Sequence, residues 1–131
     1  MSQETEKVVQ RFFGAWNARD ADALADNTHA QGEIILPRNL LEGGSYTGPD
    51  GARRALADAL ETWEETIVTV EGIREADDQL VVLGRTFNTP PDGPRTETVA
   101  GYVIRIQDGK LAHLRPYMSH EEALEAVGLS E

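Results

Sequence analysis

Apolar and polar positions along the chain change their period once, near the middle, and that change predicts the architecture. The first half is helical in spacing. Val8, Val9, Phe12, Phe13 and Trp16 recur at steps of one, three and four, which marks one helix face over residues 4–18. Asp20 is a natural N-cap for a second, shorter helix through Leu24 to about Thr28. "GEIILPR" (32–38) is an apolar run closed by proline and reads as a strand. "EGGSYTGPDG" (42–51) is turn chemistry, with Pro49 and Asp50 placed to open a third helix. That helix carries Ala52, Ala55, Leu56, Ala59, Leu60 and Trp63 at helical spacing.

From Thr66 onward the period becomes that of strands. "TIVTVEGIRE", "QLVVLGRTF" and "TETVAGYVIRI" are rich in β-branched and apolar residues, and "ADD" and "NTPPDGP" separate them. "KLAHLRPYM" is the last strand. "SHEEALEAVGL" closes the chain as a helix: Ser119 caps it, Glu122 stands at the capping-box position, and Gly128 ends it. Helices followed by sequential strands predict one α+β domain spanning residues 1–131, with an antiparallel sheet wrapped around the helices. The glycines of "GPDG" lack the spacing of a phosphate loop.

The turn "IQDGK" decides which side chains of the last hairpin face inward. A three-residue loop of Gln107, Asp108 and Gly109 pairs Ile106 with Lys110. One face then carries Tyr102, Ile104, Ile106, Ala112, Leu114, Pro116 and Met118, and the other Val103, Arg105, Leu111, His113, Arg115 and Tyr117. A two-residue Asp108-Gly109 turn mixes these sets. A half-buried sheet fixes its register by separating apolar from polar side chains, which favours the bulged loop.

Composition narrows the function classes. The 131 residues carry 23 acidic against 12 basic side chains, a formal charge of −11. Such a field repels phosphate backbones and anionic lipid, so neither nucleic acid nor membrane is expected as a partner. The absence of cysteine excludes disulfides, thiol nucleophiles and thiolate metal sites. "MSQETEK" lacks the basic start and apolar stretch of a signal peptide, and no apolar run reaches the roughly 20 residues of a membrane span. A cytoplasmic protein is expected. His29, His113 and His120 lack ligand spacing, so no metal and no cofactor is expected.

A helix ending in "FFGAWNARDADAL", a "YTGPDGARRAL" turn and helix, the "RIQDGKLAHLRPY" hairpin and the closing "EEALEAVGL" together resemble the SnoaL-like branch of the nuclear transport factor 2-like superfamily, over residues 4–129. The resemblance implies a cone: a strongly curved antiparallel sheet folded over a long N-terminal helix, with a mostly apolar interior pocket. It also implies a homodimer through the outer sheet face, where Arg105, His113, Arg115 and Tyr117 would lie. The same cone hosts isomerases, polyketide cyclases, epoxide hydrolases, dehydratases and plain binding subunits, so fold alone does not assign the chemistry.

Ketosteroid isomerases of this superfamily use an Asp base with a Tyr and a protonated Asp as oxyanion donors. Aligned on "VVQRFF", "GEIILP" and "GYVIRI", those positions fall at Phe12 (Tyr), Leu36 (base) and Tyr102 (acidic donor). Leucine cannot take a proton, and phenylalanine cannot donate one. The Asp-Arg-Asp set of the epoxide hydrolases is not evident either.

Tyr102 could hydrogen-bond a ligand carbonyl. Arg85, sharing strand parity with Leu83 and Phe87, would face inward by the same alignment and meet a carboxylate or enolate. These two are the catalytic candidates. Phe12, Trp16, Leu36, Arg38, Tyr46, Trp63, Phe87, Ile104, Leu114 and Met118 are the expected pocket residues. The expected ligand is a small, largely apolar molecule (steroid-, terpene- or polyketide-like) with a carbonyl or acidic group. An isomerase, cyclase or lyase, a non-catalytic binding or assembly module, and a hydrolase using an activated water all remain open. The last needs an inward carboxylate, for which Glu33 is the nearby candidate.

Overall fold

The computed structural model describes residues 3–35 and 44–129. Helix α1 (Gln3–Asn17) buries the expected stripe, Val8, Val9, Phe12 and Phe13, together with Ala15. It stops where Arg19 takes a positive φ of 59°. The Asp20 carboxylate then accepts the Ala23 N–H at 3.0 Å and starts α2 (Ala21–Asp26). Asn27 Nδ2 and Thr28 Oγ1 donate back to the Ala23 and Leu24 carbonyls, closing α2 slightly early. The chain passes directly into β1 (Thr28–Ile35), which begins four residues before "GEIILPR" suggested. The segment read as pure turn contains a short strand, β2 (Ser45–Thr47), before α3 (Gly48–Thr62).

β3 (Glu65–Ala76), β4 (Gln79–Thr89), β5 (Thr96–Gln107) and β6 (Lys110–Tyr117) form a meander, and α4 (His120–Ala126) follows. The curved sheet has the order β2-β1-β6-β5-β4-β3. Its pairs are antiparallel except β1–β6, which is parallel. The α+β cone is therefore present, with a mixed rather than a wholly antiparallel sheet. No helix of the described residues is long and apolar enough to cross a membrane.

The β5–β6 hairpin takes the tight turn of one reading and the faces of the other, with the pairing of neither beyond the bulge. Asp108 and Gly109 have φ of 54° and 74°, so the turn is the two-residue one, with Gln107 opposite Lys110. The bulge lies further along: Ile106 opposes Leu111, but Arg105 opposes His113. Beyond it the faces are those expected, with Ile104 opposite Leu114 and Tyr102 opposite Pro116. Leu111, expected outside, sits instead in the core at 1% exposure. β1 shifts register at the same level, between Thr28 opposite Leu111 and Glu33 opposite His113. The irregularity thus belongs to three neighbouring strands rather than to the turn.

Two apolar clusters flank the sheet. The inner one joins α1, α2 and α3 to residues such as Ile34, Val82, Tyr102, Ile104 and Leu114. The outer one packs Val81 and Val103 against Ala123 and Leu124 of α4. Ser119 Oγ accepts the Glu122 N–H at 3.1 Å to start α4. Leu129 N–H and Gly128 N–H return to the Leu124 and Glu125 carbonyls, with Gly128 at φ 81°. A Cβ on Gly101 would stand 2.5 Å from the Ala123 Cβ, so only glycine lets α4 lie this close to β5.

Candidate functional site

Inside the cone, α1 and the concave sheet face do not meet everywhere. They leave a cavity of about 220 Å³. Phe12, Phe13 and Trp16 project into it from successive turns of α1. Ala59 and Trp63 close it from the end of α3, where Trp63 leaves the helix in an extended conformation after donating its N–H to the Ala59 carbonyl. The strands supply alternate residues: Thr66 and Val68 from β3, Thr86 and Asn88 from β4, Ala100 and Tyr102 from β5, and Leu114 and Pro116 from β6. Met118, 66% exposed, brings the lining to the surface.

Polar side chains are the minority of the lining. The Tyr102 hydroxyl lies 2.6 Å from Thr86 Oγ1, and its ring packs on Phe13 with centroids 5.2 Å apart. Burial raises the Tyr102 pKa above its ordinary value, opposed in part by the hydrogen bond with Thr86. The phenol is therefore a neutral hydroxyl throughout the physiological range. Trp16 Nε1 and Asn88 Oδ1 are buried without a hydrogen-bond partner among the described residues. None of the described lining residues is Asp, Glu, His, Lys or Arg. Nor do three or more acidic or histidine side chains converge on a metal position among the described residues. The described lining residues are apolar, hydroxyl-bearing or amide side chains, none of which exchanges a proton near neutrality.

The structure brings several of the expected residues to the cavity wall. Phe12, Trp16, Trp63, Tyr102, Leu114 and Met118 all line the cavity. Arg85 does not. Tyr102 opposes Val82, which puts Val82, Thr86 and Asn88 on the inner face and Leu83, Arg85 and Phe87 on the outer one. Arg85 reaches Glu97 at 2.6 Å and Glu71 at 3.1 Å, and these partners raise its pKa, Glu71 foremost. Phe87 lies under Arg95, whose guanidinium carbon is 4.4 Å from the ring centroid. The parity of β4 is thus opposite to that expected.

Ile104, 1% exposed, belongs to the packed core rather than to the lining. Tyr46 is also core, its hydroxyl donating to Asp58 Oδ2 at 2.6 Å. Leu36 and Arg38 lie outside the described residues. Glu33 accepts from Ser45 Oγ at 2.8 Å and approaches His113 Nδ1 at 3.5 Å, so it is not a cavity carboxylate.

On the outer face Arg105 and Arg115 are exposed, and Arg115 stands 5.5 Å from the Tyr117 ring centroid. Tyr117 packs beside the outer cluster and is also among the cavity-lining residues, so it is not purely an outer-surface group. Thr86 and Asn88 were missed as site residues. The signal that would have found them is the β4–β5 register, which sets them on the side of Tyr102.

The profile of a family described as a SnoaL-like domain matches residues 9–114. Among solved structures, a hypothetical protein with a ketosteroid isomerase-like fold from Catenulispora acidiphila, in complex with trimethylamine, is 18% identical. It superposes with a TM-score of 0.76 over 94% of this chain and 93% of its own. TerC, co-crystallized with polyporic acid, is 17% identical with a TM-score of 0.80 over 95% and 98% of the two chains. An NTF2-like protein from Burkholderia thailandensis is 21% identical with a TM-score of 0.72 over 89% and 91%. At such identities the likeness is one of fold. No curated protein matches the chain in sequence.

Proposed function

Because the chain belongs to the SnoaL-like domain family, we propose that it binds a small, largely apolar organic molecule in the cavity between α1 and the inner sheet face. One observation carries this reading: an apolar hollow of about 220 Å³ whose lining includes the hydrogen-bonded Tyr102 and Thr86. About 150 Å³ admits a benzene-sized ring, and drug-sized ligands occupy roughly 300–1,000 Å³. A compact, one- or two-ring ligand fits that interval better than a steroid. The fold neighbours holding trimethylamine and polyporic acid are consistent with a ligand site inside this cone.

Binding without catalysis is the simplest form of the proposal. The aligned base position is Leu36, and no acid or base lines the cavity among the described residues. A second reading, an isomerase, cyclase or lyase, is favoured by Tyr102. Its protonated hydroxyl, backed by Thr86, is the kind of fixed dipole that stabilises an enolate oxygen. The hydrolase reading finds no support, since Glu33 is engaged with Ser45 and His113. The same proposal includes a homodimer through the outer face that carries Arg105, His113 and Arg115.

Native mass spectrometry of the purified protein, before and after mild denaturation, tests the binding. A retained small molecule of one- or two-ring size, lost on denaturation, is the expected result. A ligand-free protein whose lining resonances respond to no ring compound at millimolar concentration would end the proposal.

A further inference from the structure

Among the described lining residues only Thr96 and Met118 are exposed. Both belong to the end of the sheet where β6 stops and β5 runs on. The last β5–β6 pair is Gly101 opposite Tyr117, whereas β5 reaches back to Thr96, held there on its other side by Asn88 of β4. Alternate residues of a strand face the same way. Yet Thr98, Val99 and Ala100 line the cavity in succession, so the cavity wraps around this stretch of β5 that β6 leaves uncovered.

Met118, the residue after the last of β6, comes at that gap, 66% exposed. It lines the cavity and meets solvent at once. Its backbone is fixed on both sides, by the pairing of Tyr117 with Gly101 and by Ser119, whose Oγ starts α4. The side chain is the part free to adapt, an unbranched thioether with a polarizable sulfur. The chain has no cysteine and two methionines, Met1 and Met118. No thiol therefore competes with these thioethers for an oxidant, and that of Met118 stands open to water at the mouth of an apolar cavity.

We propose that Met118 is an oxidative modification site that sets the affinity of the cavity: a hydroperoxide converts it to the sulfoxide, and the sulfoxide weakens the binding of apolar ligands. The sulfur lone pair attacks one peroxide oxygen, the O–O bond breaks and an S–O bond forms. With hydrogen peroxide, the second oxygen leaves with both protons as water. Sulfur gives up two electrons, and the peroxide takes them. The product is polar and chiral, and enzymatic reduction reverses it. A sulfoxide oxygen holds water at the rim, so a ligand lying against Met118 loses an apolar contact there. The inference rests on the ligand-binding reading above and adds the regulation of that site.

Toluene is the probe, its dissociation constant taken from two-dimensional ¹⁵N–¹H NMR titrations of the whole chain before and after treatment with hydrogen peroxide. Peptide masses identify the oxidised residues. Met118 is expected to gain one oxygen, and toluene to bind about fourfold more weakly, the equivalent of one buried methylene. Methionine sulfoxide reductases of both epimer specificities should then restore the first value. Met118→Leu keeps an apolar side chain without sulfur and is compared with itself before and after peroxide. Its affinity should not change on treatment, which separates Met118 from Met1.

A Met118 that resists peroxide would overturn the inference, as would a sulfoxide form that binds toluene as tightly as the untreated protein. An equal loss of affinity in peroxide-treated Met118→Leu would overturn it too. In those cases toluene still binds the untreated chain, and the cavity remains a ligand site. Failure of the untreated chain to bind toluene would overturn the binding reading and the inference with it.

Discussion

Asn17, the last residue of α1, holds the open edge of the sheet. β3 ends the strand order, so among the described residues one side of its backbone has no neighbouring strand. There Asn17 Nδ2 donates to the Val68 carbonyl at 2.8 Å, and Asn17 Oδ1 accepts the Val68 N–H at 2.8 Å. The carboxamide thus stands in for one residue of a missing strand and joins two parts of the chain 51 positions apart. Asn17→Ala removes both bonds, each of which contributes about 1 kcal/mol net. It also leaves the part-buried Val68 N–H and C=O without a partner, which brings the expected loss to about 2–3 kcal/mol. For a chain of this length that lowers the midpoint of thermal unfolding by roughly 8–12 °C. Asn17→Asp keeps the acceptor and loses the donor, and should fall between Ala and the parent. Urea unfolding gives the free energies. A loss below about 0.5 kcal/mol for Asn17→Ala, at an unchanged m-value, would show that the clasp contributes no more than an ordinary surface residue.

Four further outcomes are expected. Burial raises the Tyr102 pKa, so the folded state holds this proton more tightly than the unfolded chain, whose tyrosine titrates near 10. The contribution is complete below that value and is lost as pH climbs above it; stability should therefore fall above about pH 10, with one of the three tyrosines ionising late, together with unfolding, and an ultraviolet titration in which all three ionise before unfolding refutes this. Gly101→Ala drives a methyl against Ala123 and should cost roughly 1–3 kcal/mol in urea unfolding, with α4 amides losing hydrogen-exchange protection first. Arg85→Ala should leave small-molecule binding in the cavity unchanged and lower stability slightly, by an amount that high salt erases; lost binding would put Arg85 back in the site. Arg115→Glu should convert dimers to monomers in analytical ultracentrifugation if the outer face is the interface, and an unaltered dimer would place the interface elsewhere.

The elements were legible because their signals are local. The α1 stripe, the Asp20 and Ser119 caps and the Gly128 stop each depend on a few neighbouring residues, and each stands where the sequence put it. The β5–β6 faces were legible for another reason: polar His113 and Arg115 alternate with apolar Ala112 and Leu114. The bulge that sets them was misplaced, because it answers to β1, a partner some 80 residues away along the chain. No turn sequence carries that information.

β4 shows where local reading fails. In "LVVLGRTFN" both parities are apolar at the start, since Val82 meets the inner core while Val81 and Leu83 meet the outer cluster under α4. A strand covered on both faces loses the alternation that would orient it. Aromatic Phe87 then favours the wrong side, and Arg85 goes inward with it. The sheet resolves the choice through Gly84, where a Cβ would approach the Thr69 carbonyl oxygen to 2.2 Å, and through the pairing of Val82 with Tyr102. This single inversion moves an arginine out of the cavity and two neutral polar residues, Thr86 and Asn88, into it. The chemistry follows the parity: the arginine expected to meet an anion leaves the cavity wall, and the described lining that replaces it carries no charge.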